Sequence, residues 1–261
     1  MILTLDAGNT SITMVAYDSD GKVCFSARLA TDKNRTSDQY AVEIKDILSL
    51  YGIEKSDLKG AVIGSVVPVL SDSLFEATRV FCGLTPLRIG PGVKTGLNIL
   101  IENPAQLGAD LVSQSVAAIK KYPLPCLIFN VGAATTLSVI DKAGSYIGCA
   151  IMPGVMMSID ALSSGTSQLP QISFSAPASV IGKNTIDSMK AGIVFGNAAM
   201  LDGLVDKANE EIGKISSVIA TGDSAEGLIS HCKHKIIYEK TLVNDGLMMI
   251  WEKNKKITSN M

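Results

Sequence analysis

Asp6-Ala7-Gly8-Asn9-Thr10 closes the first apolar run of the chain, Met1–Leu5, and leads into a second, Ser11–Tyr17. A carboxylate, a glycine, an amide and a hydroxyl at this spacing suit a phosphate group. Gly8 lets backbone N–H groups approach phosphate oxygens, Asn9 and Thr10 add side-chain donors, and Asp6 can hold Mg2+ directly or through water. An ordinary hairpin with a D-x-G-N turn carries the same letters. The frame recurs, however. Phe129-Asn130-Val131-Gly132-Ala133-Ala134 overlays Leu5–Thr10, and Ile140-Asp141-Lys142-Ala143-Gly144 overlays Tyr17–Gly21. The two copies differ in length by one position, and such self-similarity implies a duplicated α/β unit. Neither a Walker loop nor a dinucleotide G-x-G-x-x-G is present.

A second candidate site is Asn103-Pro104-Ala105-Gln106-Leu107-Gly108-Ala109-Asp110. Asp110 stands at an expected helix start, where a carboxylate either caps the helix or serves as a general base toward a substrate hydroxyl. Spacing leaves both readings open. Val180-Ile181-Gly182-Lys183-Asn184-Thr185 precedes a long helical stretch, so Asn184 or Thr185 caps it, or Thr185 binds substrate. His231-Cys232-Lys233-His234 has no second ligand pair and reads as a solvated loop, not a metal site.

The elements that must position these residues follow from periodicity and punctuation. Strands are expected at Met1–Leu5, Ser11–Tyr17, Val23–Ala30, Lys59–Val66, Leu87–Ile89, Cys126–Val131, Thr135–Ile140 and Ser217–Thr221. Helices are expected from Thr36 or Ser37, with Tyr40, Ile44, Ile47 and Leu48 on one face, and over Ser71–Phe81, Ala109–Lys120, Met156–Leu162, Asn184–Asn209, Asp223–Ser230 and Val243–Lys253. The repeat places a domain boundary near residues 115–125. The last residues, with Lys253, Lys255 and Lys256 before Thr258-Ser259-Asn260, read as a frayed tail.

Composition supports a real core: 47% of residues are hydrophobic and 18% charged. A formal charge of −2 gives no electrostatic reason to bind nucleic acid or an anionic membrane. The cysteines, Cys24, Cys82, Cys126, Cys149 and Cys232, are odd in number and form no C-x-x-C, as expected of free thiols in a reducing compartment. No signal peptide or transmembrane stretch is expected, which points to the cytoplasm.

Taken in order, Asp6-x-Gly8-Asn9-Thr10, Ser65-Val66-Val67-Pro68, Thr95-Gly96-Leu97, Asn103-Pro104 with Gly108-Ala109-Asp110, Gly132 with Ala134-Thr135-Thr136, Ile151-Met152-Pro153-Gly154, Ala161-Leu162, Leu169-Pro170 and Ile181-Gly182-Lys183-Asn184-Thr185 resemble the type III pantothenate kinases. The resemblance runs from residue 1 to about residue 250. It implies two tandem ribonuclease H-like (actin-like ATPase) domains, 1–118 and 119–261, and a homodimer. It also implies ATP-dependent phosphorylation of pantothenate, the first committed step toward coenzyme A, with Mg2+ and a monovalent cation (potassium or ammonium). Carried over, Asp6, Ala7, Gly8, Asn9, Thr10, Ser11, Ile12 and Thr13 form the first phosphate loop, and Gly132 and Ala133 part of the second. Asp6 holds Mg2+ and Asp110 accepts the proton. Ile101, Gly108, Ala109, Asp110, Leu111 and Thr185 line the substrate site, and Asn130 takes the monovalent-cation position. The chain departs from the family pattern at Asn130, Ala133, Leu111, Ile101, Ser138, Cys149 and Asp223, where the family has Asp, Thr, Arg, Tyr, Asp, Gly and Gly. The alternative to an active kinase is therefore an inactive paralogue acting as a nucleotide- or ligand-binding or regulatory dimer. A kinase for another hydroxylated small molecule is a third reading.

Overall fold

A computed structural model describes residues 1–258 of the chain. By internal contact the chain forms two compact units. One comprises Met1–Leu97, Glu102–Ala117 and the segment that begins at Thr241; the other comprises Asn98–Ile101 and Ala118–Lys240.

The first unit is built on β1 (Ile2–Ala7), β2 (Ser11–Tyr17), β3 (Val23–Ala30), β4 (Gly60–Ser65) and β5 (Leu87–Arg88), in the order β3-β2-β1-β4-β5. β1 to β3 form an antiparallel meander, and β4 lies parallel to β1. Strand alternation splits the sheet into two faces. Leu3, Leu5, Ala7, Ile12, Met14 and Ala16 pack with Tyr40, Ile44 and Leu48 of α1 (Ser37–Leu50) and with Leu70, Leu74 and Ala77 of α2 (Pro68–Cys82). Ile2, Val15 and Tyr17 on the opposite face pack with Met248 and Trp251 of α7 (Leu242–Thr258). α1 starts as its residues dictate: Thr36 and Gln39 form a reciprocal capping box. α2 starts three residues earlier than expected, because Pro68 is the first helical residue, where a missing N–H costs nothing.

The second unit repeats this plan. β7 (Cys126–Val131), β8 (Ala134–Ile140) and β9 (Ser145–Pro153) form the meander, and β10 (Ser217–Thr221) lies parallel to β7. The full order is β11-β10-β7-β8-β9-β6, with β6 at Asn98–Ile99 and β11 at Ile237–Tyr238. Asp6 pairs with Thr13 and Gly64, and Asn130 pairs with Thr136 and Thr221. Even the irregularity is duplicated, since the register shifts between Ala16 and Tyr17 in one meander and between Val139 and Ile140 in the other. α4 (Val155–Ser164), α5 (Thr185–Ile212) and α6 (Ala225–Ile229) cover the β7–β8 face through Val155, Ile159, Met189, Ile193, Val194, Ala225 and Leu228.

A single cut after residue 118 does not describe these units. α3 (Ala109–Lys121) passes from one to the other between Ala117 and Ala118, but α7 returns to the first. Its return follows from the polar and apolar positions of the helix. Trp251 lies against Gly60, where a Cβ would come within 2.7 Å of the indole. Lys253 Nζ donates to Thr95 O at 2.7 Å, and the buried Asn254 exchanges bonds with Lys94 at 3.2 and 3.0 Å. Lys253 and Asn254 are thus docked helix, not frayed tail; Ser259 and Asn260 of that expected tail lie outside the described residues.

Candidate active site

In the first unit the β1–β2 connection is a tight hairpin turn. Gly8 N–H donates to Ser11 O at 3.0 Å, and Thr31 braces the turn by donating its hydroxyl to Gly8 O at 2.7 Å and its N–H to Thr10 O at 3.0 Å. Gly8 suits this closeness, since a Cβ there would make a tight contact of 3.3 Å with Ser11 O. Its own N–H is used within the turn. Asn9 and Thr10 at the tip are exposed, so the donors that can reach outward belong to them. Arg28 Nη2 donates to Ser11 Oγ at 3.0 Å and brings a cation to the same turn. Ala7 and Ile12 are fully buried and anchor its base, while Asp6 and Thr13 are half-buried on the α7 side of the sheet. Thr31 and Arg28 have no signal in the sequence, where a polar residue near the end of a strand looks like any other.

The β4 terminus joins this hairpin to α3. Val66 N–H donates to Ala7 O at 3.1 Å, and the Cβ position of Gly64 lies 3.7 Å from Ala109 Cβ. The Gly108 Cβ position would sit 3.3 Å from Val66 Cγ1 and 2.5 Å from Asp110 Oδ1. Gly108, Ala109 and Asp110 are therefore held at the carboxyl ends of β1 and β4, beside the phosphate-type turn. Gly108 O accepts the first helical bond from Val112 N at 3.0 Å. Burial pushes the Asp110 carboxyl above its ordinary value; the N–H groups of Leu111 and of Asp110 itself pull the other way, and burial wins. A half-buried carboxylate with a raised affinity for protons, at a glycine-rich approach, has the properties of a general base. Leu111 is only 8% exposed and belongs to the buried face of α3 with Val112 and Val116.

The second unit carries the other phosphate-type turn. Gly132 N–H donates to Ala134 O at 3.2 Å, closing a turn one residue shorter than that of the first unit. Two further glycines wrap it. A Cβ on Gly154 would collide with the carbonyl oxygens of Gly132 and Ala133. Gly222, at φ 95°, presses on Val131 O and Asn130 Oδ1, with a Cβ position 2.7 and 2.8 Å away. Ser224 N–H donates to Val131 O at 3.2 Å. Asn130 Oδ1 thus lies beside main-chain oxygens of its own turn, with acidic Asp223 next to Gly222, an oxygen-rich surrounding of the kind that hard cations take. Gly154 and Gly222 have a sequence signal only as members of short motifs; their close approaches are tertiary.

Ile101 is half-buried just after β6, where Leu100 N–H donates to Tyr146 O at 2.8 Å. Thr185 is the exposed first residue of α5, and Asn184 caps that helix by accepting from Asp187 N at 2.9 Å. The expected site residues therefore fall into two sets: Asp6–Thr13 and Gly108–Leu111 in the first unit, Ile101, Asn130, Gly132, Ala133 and Thr185 in the second. The His231–His234 stretch is tied down, not loosely solvated. Buried Asp202 accepts the N–H groups of Lys233 and His234 at 2.8 and 3.0 Å, and Asp206 pairs with Lys233 Nζ at 2.6 Å and His234 Nε2 at 2.8 Å.

The sequence model of the family described as type III pantothenate kinase matches residues 2–207. A type III pantothenate kinase of Bacillus cytotoxicus is 38% identical over 254 residues, covering 97% of both chains. One from an Exiguobacterium strain is 38% identical over 256 residues, covering 98% of this chain and all of the relative. Among solved structures, the activator of the 2-hydroxyisocaproyl-CoA dehydratase from Clostridium difficile, with bound ADPNP, superposes with a TM-score of 0.59 at 13% identity. The match covers all of this chain and 97% of that one. The fold is that of the actin-like ATPases and sugar kinases.

Proposed function

The chain belongs to the type III pantothenate kinase family, and we propose that it transfers the γ-phosphoryl group of ATP to the hydroxyl of pantothenate, giving 4′-phosphopantothenate and ADP at the entry to coenzyme A synthesis. The observation that carries this reading is the placement of Asp110. A carboxyl made more basic by burial stands at the glycine approach of α3, at the strand ends that carry the Asp6–Thr13 turn.

In this reading Asp110 accepts the proton of the substrate hydroxyl as its oxygen bonds to the γ-phosphorus and the bond to the ADP oxygen breaks. Asn9 and Thr10 donate to phosphate oxygens, and Asp6 supplies the carboxylate for Mg2+. Mg2+, when bound, neutralises charge on the phosphates during transfer. Asn130 Oδ1 offers one ligand to potassium or ammonium, with Gly132 and Ala133 cradling phosphate. Gly108 and Ala109 let pantothenate approach Asp110, while Leu111 is buried within α3. We place the enzyme in the cytoplasm. No helix among the described residues is long and apolar enough to cross a membrane.

A homodimer is also part of the proposal. Ile151, Met156, Val180, Ile181 and Ile186 of the second unit are exposed, Ile181 to 75%, and a second copy of the chain would supply apolar cover for them. Light scattering after gel filtration will give twice the 27.5 kDa chain mass. A chain-mass peak would remove the dimer from the proposal.

The decisive experiment is turnover with ATP, Mg2+, potassium and pantothenate, following ADP by a coupled enzyme and the phosphorylated product by mass. Turnover that Asp110→Asn abolishes is expected. Absence of product at high enzyme and high potassium would overturn the assignment.

A further inference from the structure

Asn244 is an amide in the first turn of α7, only 2% exposed. Burying an amide is unfavourable unless it is hydrogen-bonded. Its Nδ2 donates to Thr4 Oγ1 at 2.9 Å and to the backbone Thr13 O at 3.3 Å. Thr4, itself fully buried, donates its hydroxyl to Val15 O at 3.1 Å. Thr13 is the strand partner of Asp6, and Thr4 the partner of Val15. Asn244 therefore grips both strands of the hairpin on the face that carries the Asp6 side chain, one rung below Asp6.

The next two residues extend the grip. Asp245 Oδ1 accepts the Tyr17 hydroxyl at 2.6 Å, at the far end of β2. Gly246 runs so close to α3 that any Cβ would collide with Ser113 O. Ser113 in turn donates its hydroxyl to Ala109 O at 2.7 Å, one residue before Asp110. Three consecutive residues of α7 thus hold the two elements that the chemistry needs in register: the phosphate hairpin through Asn244 and Asp245, and the helix of Asp110 through Gly246. An apolar side chain at position 244 would fill the same space without fixing the twist of the β1–β2 ladder.

We infer that Asn244 is a positioning residue for nucleotide binding, setting the Asp6–Thr13 hairpin through its bonds to Thr4 Oγ1 and Thr13 O. The inference rests on the proposed role of that hairpin as an ATP phosphate site. Its consequence is selective. Releasing the hairpin weakens ATP binding while leaving α3, and so pantothenate use, in place.

The test measures MgATP dissociation constants by calorimetry, KM for pantothenate, and thermal midpoints, for wild type, Asn244→Leu, Thr4→Val and Thr4→Ser. Loss of one such bond is expected to weaken MgATP about fivefold in Asn244→Leu and in Thr4→Val. Thr4→Ser, which keeps the hydroxyl, stays near wild type, and KM for pantothenate is unchanged in all. Valine keeps the branched shape that a strand favours, so the Thr4 pair decides the matter even where Asn244→Leu does not fold. A lowered midpoint with unchanged MgATP affinity would reduce Asn244 to a structural role and overturn the inference. Wild type that binds no MgATP would instead overturn the kinase reading, a separate outcome.

Discussion

Asp110→Asn separates a catalytic function from a stabilising one, because the structure predicts opposite effects on activity and on stability. Asparagine keeps the size of the side chain, and its Oδ1 can still accept the Leu111 N–H at the start of α3. It cannot accept a proton at neutral pH. Removing a general base costs about 10²–10⁴-fold, which is about 3–5 kcal/mol of barrier. Stability moves the other way. The folded-state carboxyl is held above its ordinary value, mainly by burial, so the native state binds this proton more tightly than the unfolded chain. Stability from this group is complete below the unfolded value and is lost as pH rises through the raised folded one, at about 1.4 kcal/mol for each pH unit between them. Asparagine has no ionised form to bury. Asp110→Asn is therefore more stable than wild type at neutral pH, and the difference closes on acidification toward pH 4. Urea melts at a series of pH values, set beside kcat/KM for each variant, read both quantities. The acid limb of the wild-type pH–rate profile will lie above the usual aspartate range. An Asn variant that turns over within a few-fold of wild type refutes the base assignment. A stability difference that does not change with pH refutes the claim that burial raises the carboxyl.

Three other outcomes follow. Gly246→Ala forces a Cβ into the Ser113 carbonyl, which cannot yield as a flexible side chain would, so denaturant unfolding will show a loss of at least about 2 kcal/mol. Leu111→Arg, which would restore the cation of the family pattern, puts a charge at a buried position and will cost about 3 kcal/mol or more, read as a lowered thermal midpoint, with no gain in pantothenate affinity. Native-state titration with a thiol reagent will modify Cys24 and Cys149 rapidly, while Cys82 and Cys126, buried and with thiols pushed up to about 11 and 12, react only on unfolding. Fast labelling of Cys126 would contradict its place in the core of β7.

The duplicated frame was legible because it is written in strand alternation and turn residues, both of which act locally. Cys126–Val131 and Ser217–Thr221 are largely buried on both faces and read as short, mostly apolar runs, and the structure has them at those bounds. β9 was not legible, since the residue types of Ser145–Pro153 do not alternate between polar and apolar, although their exposure does from Gly148 onward. β6 and β11, at two residues each, have no pattern to show. The allegiance of α7 is a matter of tertiary contact: nothing in Leu242–Thr258 states that Met248 and Trp251 answer Ile2, Val15 and Tyr17 across the whole length of the chain. At the site, the types of Asp6, Asp110 and Asn130 could be read. The burial that makes Asp110 basic, the bond that consumes the Gly8 N–H, and the burial of Leu111 could not, because each depends on what packs nearby.

The departures in the second turn look different once the packing is known. Gly154 and Gly222 are kept, and each is demanded by backbone that leaves no room for a Cβ. The shape of the cradle at Asn130–Ala134 is therefore set by glycines and main-chain atoms, not by the side chains that differ from the family pattern. Asn130 keeps a side-chain oxygen against Gly222 but carries no charge. On the proposed reading, then, substitution here tunes the attraction for a cation without dismantling the phosphate cradle, and the charged chemistry is concentrated in the first unit on Asp6 and Asp110. The same division explains why α7 matters: the unit that retains the charges is the one whose hairpin and base-bearing helix are pinned together by Asn244, Asp245 and Gly246.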